Sequence, residues 1–234
     1  MTGMRFLQGC RTMFACISTK DRDHFYDWSR TMIDRQTIPV TVVIVDGSAE
    51  PSRWSTWPDA IYIHRPNVAL GLSRNIAMDA ALSHGAAYIA IWDDDDYYEP
   101  CHLEEALRLL DAHPEAMAAG STVTPLYFPQ YDEMWVCGPY AETHSIEPAL
   151  VFRAALAKSN RFDPADRCGL GAPFLNDFTV PIVQNKKRTH IAIAHRGNTV
   201  SKEPIRQTPS KYLATRIDVM PFLPTFREVL NSVH

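Results

Sequence analysis

Hydrophobic positions in the first half of the chain alternate between two spacings. Residues 13–18 (MFACIS) and 40–45 (VTVVIV) are apolar or β-branched runs of strand length, and between them Phe25, Trp28, Met32 and Ile33 recur at helical spacing. Asp21 and Asp23 stand just ahead as candidate N-caps. Strand, helix and strand within about 35 residues is the length of a right-handed βαβ unit. The pattern then repeats. Residues 61–63 read as a third strand, Leu72, Ile76 and Ala80 as a helix stopped by Gly85, and Leu103, Ala106, Leu107 and Leu110 as another closed by His113-Pro114. Between these two helices, 87–92 (AYIAIW) is apolar at nearly every position, as suits a parallel strand buried on both faces. These spacings predict an α/β fold with a mostly parallel central sheet flanked by helices.

Past residue 115 the alternation weakens. Segments 117–123, 133–136, 150–152 and 191–194 predict strands, 154–158 a short helix, and 169–171 a turn ahead of a stretch in which Pro181 limits any helix. The tail beyond Thr199, basic and Pro-rich, reads as a mobile loop followed by a short helix over 212–219. No repeat, low-complexity tract or linker divides the 234 residues, which predicts one domain with halves at 1–115 and 116–234.

Charge sharpens this division. The net charge of −4 conceals 10 basic and 19 acidic side chains in 1–140 against 13 basic and 8 acidic in 141–234. Eight cations lie between 186 and 216, opposed by Glu203 alone. An acidic cluster suited to a cation and a basic segment suited to an anion would be complementary if folding joined them. The longest apolar runs fall far short of the roughly 20 residues that cross a bilayer, and no secretory leader opens the chain, so a soluble cytoplasmic protein is expected. Five scattered Cys without CxxC spacing signal neither a disulfide framework nor a zinc site.

In an open parallel sheet, ligands bind outside the carboxyl ends of the strands. Asp46 follows the run 40–45, and Asp93, Asp94, Asp95 and Asp96 follow 87–92. If the extended backbone continues, Asp93 and Asp95 point to one face and Asp94 and Asp96 to the other. Two carboxylates on one face suit a hard cation such as Mg²⁺ or Mn²⁺. A solvated loop or a helix N-cap is the plain alternative, yet four repelling carboxylates behind a buried strand call for a counter-ion.

Four segments, in order, resemble the inverting glycosyltransferases of family 2, which have the GT-A nucleotide-sugar fold. Ser18-Thr19-Lys20-Asp21-Arg22 is similar to the family's opening nucleotide-binding loop, and Val43-Ile44-Val45-Asp46-Gly47-Ser48 resembles its VVDDGS strand end with one acidic residue fewer. Asn67 with Gly71-Leu72-Ser73-Arg74-Asn75 resembles its N…G…ARN segment, and Ile91-Trp92-Asp93-Asp94-Asp95-Asp96 its FLDADD segment, which carries the DXD motif. The resemblance implies a nucleoside diphosphate sugar as donor, commonly with uracil. It places Thr19, Asp21, Asp46, Arg74, Asp93 and Asp94 at the nucleotide: Asp46 on the base, Asp93 on the ribose, Arg74 supporting the DXD carboxylates or reaching the diphosphate. Asp95 would hold the bridging Mn²⁺ or Mg²⁺.

The later match is looser. Leu175-Asn176-Asp177-Phe178 resembles the family's ED segment with Asn in place of Glu, which makes Asp177 the expected general base and Glu147 the reserve candidate. His195 in Ala194-His195-Arg196-Gly197-Asn198 resembles the late His that meets the metal or diphosphate, and Arg196, Lys202 and Arg206 would close over the diphosphate as a lid. Trp135, Tyr140 and His144 fall where the family builds its acceptor site. The expected acceptor is a glycan, a small molecule or a hydroxylated base in DNA, and absence of the QxxRW pattern disfavours a processive synthase. Two other readings stand beside this one: a nucleotide-sugar or cation-binding module that has lost its base, and a sugar-phosphate nucleotidyltransferase, whose Gly-rich opening loop this chain lacks.

Overall fold

The computed structural model describes residues 12–141, 143–167, 171–175 and 179–217. The first half builds β1 (Met13–Thr19), α1 (Tyr26–Asp34), β2 (Thr41–Asp46), β3 (Ile61–His64), α2 (Leu70–Ser83), β4 (Tyr88–Trp92), a two-residue β5 (Tyr97–Tyr98) and α3 (His102–Ala112). The second contributes β6 (Ala118–Gly120), β7 (Thr124–Phe128), β8 (Glu133–Cys137), β9 (Val151–Arg153), α4 (Leu156–Ser159), α5 (Gly171–Phe174), β10 (Ile182–Gln184), β11 (His190–Ile193), α6 (Glu203–Gln207) and β12 (Ala214–Ile217).

The central sheet runs β10-β6-β9-β4-β1-β2-β3, with strands from both halves of the chain. β4, β1, β2 and β3 are mutually parallel, β10 is parallel to β6, and β9 is antiparallel to both of its neighbours. β4 explains the apolar run 87–92. Ile89 and Ile91 pack with Ala77, Met78 and Ala81 on one face, while Ala90 and Trp92 pack with Met32, Leu103 and Leu107 on the other. Full burial of each large side chain stabilises the fold by about 1.5–3 kcal/mol.

A second sheet runs β12-β8-β7-β11-β5. Its key link is β5, which starts directly after Asp96 and pairs antiparallel with β11, Tyr97 opposite Ile191 and Tyr98 opposite His190. Residues some hundred positions apart are thereby brought to the acidic turn. No helix among the described residues is long and apolar enough to cross a membrane.

Several local expectations are corrected. Neither Asp21 nor Asp23 caps α1; a short 3-10 turn over Asp23–Phe25 leads into it, and Asp23 instead accepts the Arg53 N–H at 3.1 Å. The helix around Leu72 forms, but Leu72 is 41% exposed, and the buried face carries Ser73, Arg74, Ala77 and Met78. The tail expected to be helical contains a strand, because β12 finds an open edge on β8 and pairs with it from Ala214–Cys137 to Ile217–Met134. β5, β7 and β10 were not foreseen, being too short or Pro-interrupted to show a period.

α2 sits against the 163–166 segment with no room for a side chain at its start. A Cβ on Gly71 would stand 1.9 Å from the Asp163 carbonyl oxygen, a backbone atom that cannot swing away. Gly71→Ala is therefore expected to destabilise by about 1–3 kcal/mol, measured as a lower urea midpoint with unchanged slope.

Candidate active site

The four consecutive Asp do not continue β4. Residues 93–96 form a tight turn between β4 and β5, so the alternation of faces expected for extended backbone gives way to a different sorting. Asp93, Asp95 and Asp96 converge, each with a carboxylate oxygen within 4.8 Å of the others. Asp94 turns away and is wholly engaged, accepting Thr19 Oγ1 at 2.7 Å and Arg22 Nη1 at 2.6 Å.

Each of the three converging carboxylates has its own support. Asp93 pairs with Arg74 Nη2 at 3.0 Å, and the other arm of that guanidinium pairs with Glu147. Asp95 Oδ2 accepts Arg22 Nη1 at 2.8 Å and His195 Nε2 at 3.0 Å. Asp96 accepts His190 Nε2 at 2.7 Å and the Ile193 N–H at 3.1 Å, and Trp28 Nε1 donates to its main-chain oxygen. Asp96 is thus fixed by β11 on one side and by α1 on the other.

Burial and crowding set the charge states. Burial pushes the Asp93 carboxyl up to about 7 against the pull of Arg74, with repulsion from Asp96 and Asp95 adding to it. Asp94 is likewise pushed to about 7 by burial and by Asp95, against Arg22 and Thr19. For Asp95 burial acts upward too, but His195 and Arg22 outweigh it and hold that carboxyl below its ordinary value.

His195 is placed by a ring contact with Phe25 at 4.8 Å and by the Gly197 N–H, which donates to Nδ1 at 3.0 Å. With Nδ1 accepting, Nε2 carries the proton and donates to Asp95. In this arrangement His195 orients a carboxylate of the cluster, and the converging donor set consists of carboxylates alone.

These groups line a cleft of about 920 Å³ at the carboxyl ends of β1 and β4. Thr19, Lys20, Arg22, Arg74, all four Asp, Glu147, Arg167 and Lys202 line it, as do Tyr140 and His144. Other expected residues do not. Asp46 is fully buried, its oxygens taken by the Ser48 and Ser52 N–H groups, Ser52 Oγ and Tyr62 OH. Burial alone would raise its carboxyl, but the bonds from Ser48, Ser52 and Tyr62 hold it below the usual value; it closes the turn after β2. Asp21 is exposed and contributes only its main-chain N–H, to Ser48 Oγ at 2.8 Å. Arg196 is exposed outside the cleft lining. Arg206 is bound to Glu133 at 3.0 Å, lies over the Tyr131 ring at 3.7 Å and is outside the cleft lining. Trp135 donates to Glu133 at 3.2 Å and is likewise outside the lining. Lys187 is held by Glu105 of α3 at 2.7 Å. Asp177 lies outside the described residues.

Arg22 and Asn198 stand in the motifs above without a role, and His190 and Arg167 stand in none of them. Arg22 spans Asp94, Asp95 and the Gly197 carbonyl, the last at 2.8 Å, and so joins the loop after β1 to the loop after β11. A cation four residues after a strand end, in a loop already suspected of binding a nucleotide, was the available signal. For His190 there was none, because its partner is set by the β5–β11 pairing.

The family model of glycosyl transferase family 2 matches residues 33–161, more than half of the chain and inclusive of Arg74, the acidic turn and Glu147. No curated protein matches the sequence. Among solved structures, S. aureus TarS 1-349 in complex with UDP-GlcNAc superposes with a TM-score of 0.56 at 17% identity, covering 95% of this chain and 65% of that one. The mannosyltransferase PcManGT from Pyrobaculum calidifontis, in complex with GDP-Man and Mn²⁺, gives 0.55 at 15% identity, covering 87% and 61%. The chain therefore spans a little under two thirds of the length of either. At such identities the likeness shows the fold, a GT-A arrangement with a mostly parallel central sheet. Together with the family match across β2 to α4, it establishes that this chain is a member of glycosyl transferase family 2 with the family's nucleotide-sugar-binding fold.

Proposed function

We propose that the chain is a metal-dependent, inverting and non-processive glycosyltransferase that moves a sugar from a nucleoside diphosphate sugar, in the first instance a UDP-sugar, to an acceptor hydroxyl. The observation that carries this reading is the acidic turn. Asp93, Asp95 and Asp96 offer oxygens within 4.8 Å of one another, in a cleft also lined by Lys20, Arg22, Arg167 and Lys202. All-oxygen donors fit Mg²⁺ or Mn²⁺, and the cations suit a diphosphate. A metal ion bound there would offset the charge that grows on the departing diphosphate.

The chain's own residues supply the rest. Arg74 aligns Asp93, His195 orients Asp95, and His190 holds Asp96, while Lys20 and Lys202 lie within reach of a ligand in the cleft. Asp177 is the proposed base, taking the proton of the acceptor hydroxyl as its oxygen attacks the anomeric carbon. Glu147 is a second candidate, favoured by its place in the cleft lining and its anchorage to Arg74. Full-length protein should bind UDP in the presence of Mn²⁺ and transfer sugar from the best donor of a screen. Asp177→Asn should retain donor binding and lose turnover; if Glu147→Gln does so instead, the base is Glu147. Donor binding with no turnover in wild type or variants would favour the reading of a binding module.

Protons should compete with the cation. A carboxyl raised by folding from 3.8 to about 7, as at Asp93 and Asp94, favours the folded state at low pH and loses that contribution as pH rises through this window. A bound cation restores it. The rise in Tm caused by Mn²⁺ is therefore expected to be small near pH ~5.5 and to grow through pH ~7, read from thermal unfolding with Mn²⁺ and with EDTA.

A further inference from the structure

We infer that a single water, buried between His102 and His190, completes a hydrogen-bonded chain from Asn185 to Asp96 and makes His102 a positioning residue for the cation site. That Asp96 serves a cation rests on the transferase reading above; the chain of bonds does not.

His190 borders two spaces. It lines the main cleft, where its Nε2 donates to Asp96 Oδ2 at 2.7 Å, and it also lines a separate cavity of about 10 Å³ shared with His102, Asn185 and Thr189. A volume of that size takes one water and nothing larger. His102 is 2% exposed and His190 3% exposed, and each keeps one ring nitrogen without a partner among the described residues, Nε2 on His102 and Nδ1 on His190. Buried polar atoms are nearly always hydrogen-bonded, to protein or to ordered water. Two such nitrogens, on rings that border one polar cavity, point to a shared water.

The direction of each bond can be followed along the chain. The Lys187 N–H donates to Asn185 Oδ1 at 2.9 Å, which fixes the amide, and Asn185 Nδ2 then donates to Thr189 Oγ1 at 3.0 Å. The one proton of that hydroxyl is left for His102 Nδ1, 2.8 Å away. His102 therefore carries its own proton on Nε2, and burial, which pushes its pKa down to about 3, keeps the ring neutral. On a neutral His190 the proton sits on Nε2, facing Asp96, and Nδ1 offers a lone pair. One ring thus presents a donor and the other an acceptor. A water between them accepts from His102 Nε2 and donates to His190 Nδ1.

This bond decides how Asp96 is held. The opposite tautomer of His190 would turn a lone pair toward the Asp96 oxygen, and the two would repel. By donating to Nδ1 the water excludes that tautomer, so Asp96 keeps its hydrogen bond and its place beside Asp93 and Asp95.

The test is long-range ¹H–¹⁵N correlation of the imidazole nitrogens in the metal-free full chain, combined with Overhauser transfer from water. Both rings are expected as the tautomer protonated at Nε2, with transfer from a long-lived water to the His102 Nε2 proton. His102→Phe, which keeps a flat ring without nitrogens, should spread His190 over both tautomers. It should also weaken Mn²⁺ binding in calorimetry by about three- to tenfold, less than the 10–100-fold typical of removing a direct partner of a ligand. Thr189→Val, which keeps the branched shape, should free the His102 tautomer, and with the wild-type spectra it carries the test if His102→Phe fails to fold. His102 protonated at Nδ1, His190 protonated at both nitrogens, or no transfer from water would overturn the inference. So would a folded His102→Phe in which His190 keeps one tautomer. If the spectra are as expected but wild type binds no Mn²⁺, the cation site of the transferase reading fails and the water chain stands.

Discussion

Replacing Asp95 by Ala is expected to abolish cation-dependent donor binding. Asp95 is the centre of the acidic turn: its Oδ2 meets Arg22, His195 and Asn198, and it shares the converging donor set with Asp93 and Asp96. Its charge state sets it apart. Burial pushes the Asp93 and Asp94 carboxyls up, whereas His195 and Arg22 overcome burial to keep the Asp95 carboxyl below its usual value. Asp95 is thus held toward the charged form that a cation needs. Removing a partner that merely supports a metal ligand typically costs 10–100-fold, so loss of a ligand should lower Mn²⁺-dependent UDP affinity and transfer by at least about 100-fold. Asp95→Asn, which keeps the shape and discards the charge, should behave alike. Calorimetric titration of UDP with and without Mn²⁺ reads the effect, and a variant with undiminished Mn²⁺ dependence would falsify the metal assignment.

Arg74→Ala is expected to give the largest loss of stability. Arg74 is buried on α2 with one arm on Asp93 and the other on Glu147, and its guanidinium lies 5.5 Å from the Phe162 ring centre. Without it two carboxylates of the cleft lose their counter-charge. Breaking a buried pair costs about 3–5 kcal/mol, and the lower end applies because Asp93 is a third exposed and water screens it in part. Arg74→Lys should recover only part of this, since one ammonium cannot bridge two carboxylates with a planar fork. The sign with pH is defined. Burial already pushes Asp93 up to about 7 against the pull of Arg74, so in the variant it is pushed higher. Protonation then relieves the repulsion, and the stability defect should shrink as pH falls from ~8 to ~5, measured by urea unfolding at each pH.

Much of the architecture follows from local periodicity. The strands at 13–18, 40–45 and 87–92 and the helices around Trp28, Ile76 and Leu107 were readable because each buries a continuous apolar face, and a single repeating period reports that directly. The carboxyl-end rule then pointed to the acidic run behind β4 before any side chain was placed. What escaped were elements whose existence depends on a partner. β5 has two residues, β10 three, and β12 is a strand only because β8 offers it an edge.

The site divides along the same line. Thr19, Arg74 and the four Asp line the cleft, and that placement was legible because their positions at strand ends or on an adjoining helix are set by neighbours in the chain. Asp46, expected at the base, lies outside the cleft lining with its carboxylate bonded to Ser52 and Tyr62, an arrangement set by residues six and sixteen positions away that a strand-end carboxylate does not announce in sequence. Sequence by itself determined the α/β layering, the family and the acidic turn, because local spacing and short motifs encode them. Only the tertiary structure decided which carboxylates converge and that Arg22, His190 and His195 hold them. Those depend on β5 pairing with β11 across about ninety residues of chain, a contact that no local pattern records.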